Sequence, residues 1–357
     1  MCTNVTVKYN DGYVTARTNE FGVIVNSNIF TMKKNTPQRG FCTEKNKGLS
    51  WKNKFGFVGF DGGILTPELI ALDGINEKGL SVQGLYFPKY ASYQITDNYD
   101  NAITNLTFTN YVLGCFDNVE DVKKGLDGLV ICGESIHGDP SPFHFQVNDK
   151  YGGCIVVEIE NQINIYDNKI GVMTNSPSFN FHETNFKNYI NLSPYNVEQI
   201  DLNGYILYQA GQGSGQLGLP GDMTPPSRFI KASFNKLCAI NCSSNEDAID
   251  MAFRILNSFD IVPGTCRHKA SKSEIDLIGR DKLILTDKDD ICEITQMFLV
   301  KDLNNFTIYY KDYFNMNIKK IDCNKFDFED DSNPIKGKLY DDNYCNKYID
   351  ITDNLTN

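Results

Sequence analysis

The stretch MCTNVTVKYNDGYVTAR, residues 1–17, decides the fold of this chain. Val5, Val7 and Tyr9 alternate with polar residues, which is the two-residue period of a strand with one buried face. The NDG sequence at 10–12 is typical of a hairpin turn, so the residues after it are predicted to return as an antiparallel strand. The chain therefore begins with a β-hairpin, and a cysteine stands at the head of its first strand.

Strand and helix patterns alternate further along the chain. Strands are predicted at 55–60, 80–87, 155–159, 163–166, 170–174, 293–300, 307–311 and 314–318. Helices are predicted after a cap at Asn118, over 227–239 behind two prolines, and from Ser244, which forms a capping box with Asp247. Glu120 and Lys124 are expected to pair across one helical turn. Hairpin-connected strands mixed with helices indicate the α+β class with antiparallel sheets.

Composition excludes several classes of protein. The 357 residues are 41% hydrophobic and 22% charged, which is typical of a globular protein. The net charge of −11 repels phosphate backbones, so no nucleic acid partner is expected. No apolar run approaches the roughly 18 residues of a membrane span, so no membrane partner is expected. Eleven cysteines without paired spacing, and a first segment without signal-peptide features, predict reduced thiols and a cytoplasmic location.

Three motifs resemble ligand sites without their context. Residues 213–218 match G-x-G-x-x-G, but Leu219-Pro220-Gly221 follows where a dinucleotide fingerprint needs a helix. Cys238 with Cys242, and Cys266 with His268, lack the regular second pair of a zinc site. His182 is interpreted as a structural residue. We therefore expect no cofactor and no metal.

Cys2 is the most informative residue. Removal of Met1 would leave a cysteine with both a thiol and an α-amine, two groups that titrate near neutral pH. A nucleophile whose own amine serves as general base needs no histidine. This chemistry suits a chain with four histidines.

Six blocks in order along the chain give Cys2 its context. They are Met1-Cys2-Thr3; Ala16-Arg17-Thr18-Asn19-Glu20-Phe21; Asp73-Gly74-Ile75-Asn76-Glu77-Lys78-Gly79-Leu80; Gly84-Leu85-Tyr86-Phe87-Pro88; Gly171-Val172-Met173-Thr174-Asn175-Ser176-Pro177; and the stretch from Gly218 to Phe229. The series resembles the choloylglycine hydrolase and penicillin V acylase family of N-terminal nucleophile hydrolases. This resemblance implies an αββα sandwich of two antiparallel sheets between helical layers, and the cleavage of linear amide bonds.

The resemblance also implies roles for single residues. It puts the nucleophile at Cys2, an active-site arginine at Arg17, an oxyanion-binding amide at Asn175 and a second arginine at Arg228. These roles make physical sense, because a guanidinium beside a thiol stabilises the thiolate and an amide N–H can stabilise an oxyanion. On the residues alone, Asn175 could equally be a turn residue and Arg228 part of a solvated helix terminus.

Two positions depart from the commonest family pattern. Glu20 stands where many members have aspartate, and it is kept as a catalytic candidate because the carboxylate charge that holds the α-amine is retained. Tyr86 stands where bile salt hydrolases have asparagine and penicillin V acylases have tyrosine. Its ring suits a flat or aromatic acyl group, so we interpret Tyr86 as substrate-binding and favour the acylase type.

The resemblance extends from Cys2 to about Lys320. It predicts an N-terminal nucleophile amidase domain over residues 2–320. Residues 322–357 hold nine acids and four lysines, so residues 321–357 are predicted to be a solvated acidic extension.

The leading hypothesis is thus a cysteine amidase acting on a small N-acyl amide. Hydrolysis of conjugated bile salts or of acyl-homoserine lactones stays open as an alternative within the class. A non-catalytic lipid-binding descendant of the fold is the alternative from another class. The family resemblance also implies a homo-oligomer, specifically a homotetramer.

Overall fold

The computed structural model describes residues 1–44, 47–136, 138–270, 279, 283–285, 290–329 and 334–340. The strands are, in chain order, β1 (Asn4–Tyr9), β2 (Gly12–Phe21), β3 (Asn28–Met32), β4 (Pro37–Arg39), β5 (Ser50–Lys52), β6 (Phe57–Asp61), β7 (Ala71–Asn76), β8 (Leu80–Tyr86), β9 (Ala102–Thr104), β10 (Val130–Cys132), β11 (Phe143–Asp149), β12 (Cys154–Ile159), β13 (Ile163–Asp167), β14 (Val172–Met173), β15 (Ile200–Leu202), β16 (Tyr205–Leu207), β17 (Arg267–Lys269), β18 (Asp290–Cys292), β19 (Ile294–Asp302), β20 (Thr307–Asp312), β21 (Lys319–Asp322) and β22 (Lys336–Lys338). The α-helices are α1 (Phe108–Cys115), α2 (Val119–Leu126), α3 (Phe179–Phe186), α4 (Pro225–Cys238) and α5 (Asn245–Asn257).

Two antiparallel sheets form the centre of the molecule. Six strands in the order β14-β1-β2-β19-β20-β21 form one, and eight in the order β13-β12-β11-β8-β7-β6-β3-β22 form the other. Helices α4 and α5 pack on the six-stranded sheet, and α1 and α2 pack on the eight-stranded sheet. The predicted αββα sandwich is confirmed. No helix of the described ranges is both long and apolar enough to cross a membrane.

The opening hairpin forms as predicted, but both faces of its first strand are buried. Val5 and Val7 pack in the core under α4 and α5, whereas Thr6 faces the other sheet. There Thr6 Oγ1 accepts hydrogen bonds from Asn148 Nδ2 at 2.9 Å and Gln146 Nε2 at 3.3 Å. Because buried polar groups need partners, a polar strand face can be buried only against another polar face. The space between the sheets is therefore polar near β1 and β8.

The opposite side of the same intersheet space is apolar. Side chains of β6 and β7 meet those of β19 and β20 there, among them Phe60, Ile75, Leu299 and Ile308. The buried charges of Arg17, Asp73 and Lys301 lie toward the polar side, where β2, β7 and β19 come together. This division positions the candidate site between the two sheets.

Local capping confirms two of the predicted helices in detail. Asn118 accepts a hydrogen bond from Asp121 N at the start of α2, and Ser244 with Asp247 forms the capping box of α5. The predicted Glu120–Lys124 pair is wrong. The ion pairs join residues three apart, Glu120 with Lys123 and Asp121 with Lys124, since side chains at that spacing also meet on a helix.

The end of the chain differs from its prediction in two ways. Residues 314–318 form no strand, and β21 begins at Lys319 instead. The tail is not solvated throughout: Phe328 and Leu339 lie in the intersheet core, and β22 pairs with β3 at the edge of the eight-stranded sheet. The acidic composition of the tail does not show that its apolar residues are buried, and this is why the prediction of a solvated extension differs from the structure. The boundary at 320 falls inside β21, and the division into two domains remains a prediction.

Candidate active site

Cys2 lies just before β1, between the chain segments that continue β2 and β14. On one side, Glu20 N donates to Met1 O at 2.9 Å, which extends the β1–β2 ladder to the first residue. On the other side, Cys2 N donates to Asn175 Oδ1 at 2.8 Å. The Cys2 side chain is buried. Its position is thus set by hydrogen bonds from two directions.

Arg17 brings a guanidinium to the sulfur. It lies in β2, on the face directed at the eight-stranded sheet, and its Nη2 donates to Cys2 Sγ at 3.1 Å. Nη1 donates to Gly84 O at 2.9 Å and to Asp73 Oδ2 at 3.3 Å. Burial works to lower the pKa of Arg17, but the Cys2 sulfur and the Asp73 carboxylate outweigh it, so that the pKa is raised. This arginine carries its charge permanently beside the sulfur.

Arg228 joins the nucleophile segment to Asn175. It lies in the first turn of α4, where a cation opposes the helix dipole, yet it is buried rather than solvated. Its Nη2 donates to Asn175 Oδ1 at 2.7 Å, and its Nη1 donates to Thr3 Oγ1 at 2.8 Å and to Cys2 O. These contacts, rather than the helix, account for an arginine at this position.

Asn175 presents its amide donor toward Tyr86. Since Oδ1 accepts from both Cys2 N and Arg228, the amide orientation is fixed and Nδ2 points away from them. Nδ2 donates one hydrogen to Tyr86 O at 2.7 Å, and its second hydrogen remains for another acceptor. The Tyr86 backbone N–H and C=O point away from β11, because the adjacent Phe87 N donates to Pro142 O, the residue just before β11. Asn175 Nδ2 thus lies beside the Tyr86 backbone, and Tyr86 lines the same cavity as Cys2.

Glu20 is a buried carboxylate beside the chain terminus. Its side chain is 1% exposed, and neither carboxylate oxygen has a hydrogen-bond partner among the described residues. Burial raises the pKa of Glu20, while the N-terminal ammonium and Arg228 act in the opposite direction. An unpartnered carboxylate at this depth is costly unless a cation sits beside it.

A cavity of about 40 Å³ opens beside Cys2 and Arg17. Its wall is mostly apolar, and its larger side chains are Phe21, Leu65, Leu72, Tyr86 and Phe143. The rings of Phe21 and Tyr86 meet edge to face with centroids 6.5 Å apart. Met1 also lines the cavity, so the first residue occupies space next to the sulfur.

The structure brings the six candidate residues together in one place: Cys2, Arg17, Glu20, Tyr86, Asn175 and Arg228. It also brings Asp73, the first residue of the third block, into contact with Arg17. It also adds Lys301 of β19, for which the sequence held no motif. Lys301 Nζ forms an ion pair with Asp73 Oδ1.

Two histidines support the segment that carries Asn175. His182 Nε2 bonds Asn175 O at 2.8 Å, and its ring stacks on Phe229. Burial lowers the pKa of His182 to about 4. His144 Nε2 bonds Thr174 O at 2.9 Å. Both rings touch backbone rather than the sulfur, so their contacts are structural.

No zinc-type cluster is built from the candidate cysteines. Cys238 is exposed at the end of α4, whereas Cys242 is buried. Across the part of the chain that the structure describes, no three His, Cys, Asp or Glu side chains are grouped closely enough to hold a metal ion.

Comparison with known proteins gives this geometry a family. The family model of the linear amide C-N hydrolases, choloylglycine hydrolase family, matches residues 2–277. A bile salt hydrolase/transferase from Clostridium perfringens is 33% identical over 349 residues, covering 95% of this chain and 97% of that protein. A second protein of that name, from Lactiplantibacillus plantarum, is 32% identical and covers 71% of this chain and 72% of its own.

Solved structures agree with the sequence matches. The C2A mutant of the conjugated bile acid hydrolase from Clostridium perfringens superposes with a TM-score of 0.78 at 29% identity, covering 96% of this chain and 97% of that chain. Penicillin V acylase from Agrobacterium tumefaciens gives a TM-score of 0.71 at 20% identity, covering 95% of this chain and 91% of its own, and so supports the fold alone. The predicted fold class and amide hydrolase activity are confirmed, and this chain belongs to the choloylglycine hydrolase family of linear amide C-N hydrolases.

Proposed function

We propose that Cys2 is the nucleophile of this hydrolase and that it cleaves small N-acyl amides through a thioester. The observation that carries the proposal is the 3.1 Å contact between Arg17 Nη2 and Cys2 Sγ at the head of the chain. A fixed cation at hydrogen-bond distance stabilises the thiolate, which is the reactive form of cysteine. A non-catalytic role for the fold would have no use for this pair.

The α-amine of Cys2 would act as the general base once Met1 is removed. In the chain that retains Met1, this nitrogen is an amide and donates to Asn175 Oδ1, so it cannot accept a proton. Glu20 would then hold the new ammonium, because its carboxylate is buried beside the terminus and the present N-terminal ammonium already acts to lower its pKa. Removal of Met1 would also open the cavity that Met1 lines.

The remaining steps would use two N–H donors. The sulfur attacks the amide carbon, and Asn175 Nδ2 and Tyr86 N bind the oxyanion that forms. The tetrahedral intermediate collapses when the amine leaves with a proton from the Cys2 ammonium, and water then hydrolyses the thioester. Arg228 would contribute by fixing Asn175 Oδ1, so that Nδ2 is the end directed at the reacting carbonyl.

The apolar cavity wall supports a flat or aromatic acyl group, as in penicillin V acylase. Tyr86 and Phe21 supply two rings to this wall, and Phe143 supplies a third. Conjugated bile acids are the second candidate, because relatives at 33% and 32% identity are named bile salt hydrolases. Either acyl group is hydrophobic, so the two candidates share the chemistry of binding and differ in shape.

A panel of N-acyl substrates tests both candidates. Released amine would be measured for a phenoxyacetyl amide, glycocholate, taurocholate and an acyl-homoserine lactone, with the Cys2→Ala variant as control. We expect turnover of the phenoxyacetyl amide to exceed that of the bile acid conjugates, and the variant to be inactive. The reverse ranking would establish the bile acid candidate, and turnover by the variant would refute Cys2 as nucleophile.

We further propose a homo-oligomer, with the family's homotetramer as its form, assembled through the hairpin of β15 and β16. Every residue of both strands is exposed, including Ile200, Leu202, Tyr205 and Leu207. These four side chains share one face of the hairpin, and an exposed apolar face is typical of an interface. A second copy of the chain is the partner that this family membership favours.

We also propose an intracellular location. The ten cysteines of the described residues are all unpaired, although six are buried near other chain segments. Unpaired thiols in this number are typical of a reducing compartment. Fractionation of the producing cells with a cytoplasmic marker enzyme would test this, and recovery with secreted proteins would contradict it.

A further inference from the structure

A buried ion pair lies behind Arg17, on the side away from Cys2. Asp73 of β7 accepts from Arg17 Nη1 through Oδ2 at 3.3 Å and from Lys301 Nζ through Oδ1. Lys301 belongs to β19 of the six-stranded sheet, whereas Asp73 belongs to the eight-stranded sheet. The chain Lys301–Asp73–Arg17–Cys2 therefore crosses the space between the sheets and ends on the sulfur.

Every member of this chain is almost completely buried. Lys301 is 0% exposed, and Asp73 and Arg17 are each 3% exposed. The three ammonium hydrogens of Lys301 are matched by Asp73, by Gly74 O at 3.3 Å and by the Gln83 side-chain oxygen at 2.8 Å when that amide is turned toward it. A complete set of partners fixes the ammonium in one place.

Strand register explains why these groups meet. In the β2–β19 pairing, Leu299 stands opposite Arg17 and Lys301 stands opposite Thr15. Lys301 is therefore two residues from the partner of Arg17 and projects from the same face of the sheet. Both cations face β7, where Asp73 is the carboxylate between them.

Stability alone is a poor reason for such an arrangement. Burying two charges usually costs about as much as their attraction returns, and apolar side chains of similar volume often stabilise a core better. The same intersheet space is filled by apolar residues on its other side. The ion pair contacts the arginine that bonds the Cys2 sulfur. We therefore infer that it serves the active site rather than the stability of the fold.

We propose that Asp73 and Lys301 are positioning residues that hold the Arg17 guanidinium against Cys2 Sγ. Asp73 fixes Nη1, so that Nη2 is directed at the sulfur, and Lys301 fixes Asp73. This inference rests on the proposed role of Cys2 as nucleophile. Neither residue touches the cavity, so each acts through Arg17.

The charges of the group favour the same role. Arg17 and Lys301 are cations, and Asp73 is the anion that contacts both. This contact group of three residues therefore has a net charge of about +1. A thiolate on Cys2 completes the balance. Burial lowers the pKa of Lys301 to about 8, with Asp73 raising it and Arg17 lowering it further, so the ammonium is still the main form at pH 7.

The test compares Lys301→Met with Lys311→Met in processed protein. Lys311 is also a buried lysine of the six-stranded sheet, but it bonds Asn257 Oδ1 and lies over Phe298, outside the contact group. Both variants remove one lysine charge from the six-stranded sheet, and Lys311 is the less deeply buried of the two. Brief iodoacetamide treatment at pH 7 with peptide mapping measures the reactivity of Cys2, and steady-state kinetics gives kcat and KM.

We expect Lys301→Met to slow Cys2 alkylation about fivefold or more and to lower kcat about tenfold, with KM within about twofold of the wild type. Lys311→Met should leave all three values near the wild type. Equal alkylation rates and equal kcat in the two folded variants would overturn the positioning role. Alkylation of Cys2 needs no substrate, so it tests the positioning role separately from the proposed function. The proposed function would instead be overturned if the activity of the wild-type protein did not depend on Cys2.

A second variant keeps the test decisive if Lys301→Met does not fold. Asp73→Leu with Lys301→Met replaces the whole ion pair by apolar groups of similar size and leaves no unpaired partner of the pair. A folded double variant should show slow Cys2 alkylation and a kcat loss at least as large as that expected for Lys301→Met. Wild-type reactivity in this double variant would refute the proposal.

Discussion

The surroundings of Cys2 and the hairpin of β15 and β16 are opposites within one chain. Around Cys2, buried charges and amides are held by hydrogen bonds from β2, β7, α4 and the segment after β14. In the hairpin, most side chains are apolar and exposed, and among the described residues its two strands pair only with each other. The first region is completed by this chain, whereas the second is the proposed interface with another copy. Substitutions should therefore affect chemistry in the first region and assembly in the second.

Retention of Met1 should give the largest loss. Protein in which Met1 is kept, for example by inhibiting methionine aminopeptidase during expression, has an amide where the general base is needed. General base catalysis typically contributes 10²–10⁴-fold, so we expect a loss of about that size. Intact mass would report the extent of removal and initial rates the activity. Full activity in protein uniformly carrying Met1 would contradict the mechanism.

Asn175→Ala should come next, with kcat reduced about 10²–10³-fold. The change removes one oxyanion donor and leaves Arg228 without its acceptor Oδ1. Steady-state kinetics would measure the loss. Asn188→Ala, at an exposed asparagine shortly after α3, is the matched control and should behave like wild type. A loss below tenfold for Asn175→Ala would remove the amide from the oxyanion site.

His182 should make the protein sensitive to acid. Its pKa is lowered from 6.5 to about 4 in the folded state, so the unfolded chain binds the extra proton first as the pH falls. The stability from this residue is complete above about pH 6.5 and is lost as the pH falls toward 4. Between pH 7 and 4.5 the loss amounts to about 2–3 kcal/mol.

Urea unfolding of wild type and His182→Gln at both pH values would measure this difference. The variant is expected to be less stable at pH 7, since it loses the ring stacked on Phe229, but to lose less further stability on acidification. The quantity to compare is thus the change with pH and not the stability itself. Identical pH dependence in both proteins would contradict the prediction.

Tyr86→Asn should have a smaller effect that depends on the substrate. Loss of an aromatic contact worth about 0.5–1.5 kcal/mol would lower kcat/KM for a phenoxyacetyl amide about two- to twelvefold. The backbone N–H survives, so turnover should persist. A bile acid conjugate should lose less, and the ratio of the two substrates is the measurement, since a folding defect lowers both. An unchanged ratio would remove Tyr86 as a reason for preferring the acylase type.

Substitution in the hairpin should change activity least. Ile200 and Leu207 stand opposite each other in the β15–β16 pairing, so Ile200→Lys with Leu207→Glu keeps a favourable cross-strand pair while removing apolar surface. Light scattering should show a smaller particle than wild type, with kcat/KM changed by no more than about twofold. An unchanged mass would exclude this hairpin as the interface.

Periodicity and capping predicted much of the fold because they are local. The β1–β2 hairpin follows from alternation and its turn, and α5 follows from its Ser244 cap. Helix α1 was missed because nearly all its residues are buried, so it lacks a polar face to mark its period. The irregular residues 314–318 carry strand-like apolar residues, and Phe314 packs against Tyr340 from the tail, a contact that local pattern cannot reveal.

The site divides in the same way. Cys2, Arg17 and Asn175 could be assigned because each stands in a recognisable block of the sequence. Lys301 could not, since its meeting with Asp73 depends on the register of β19 and on the packing of one sheet against the other. Asp73 and Lys301 are 228 residues apart in the chain, so no short sequence motif contains both.

The flanking of β1 by β2 and β14 has a consequence for protein production. The number of residues between Cys2 and the turn before Gly12 sets the position of the sulfur, because the pairing of Asn4 with Arg17 and Met173 fixes the register of β1. One residue inserted between Cys2 and Val5 would turn the sulfur to the opposite face of the sheet. A purification tag ahead of Cys2 can be cut away without harm only if no residue of it remains. Residues before Cys2 can thus be removed, but none can be inserted between Cys2 and Val5.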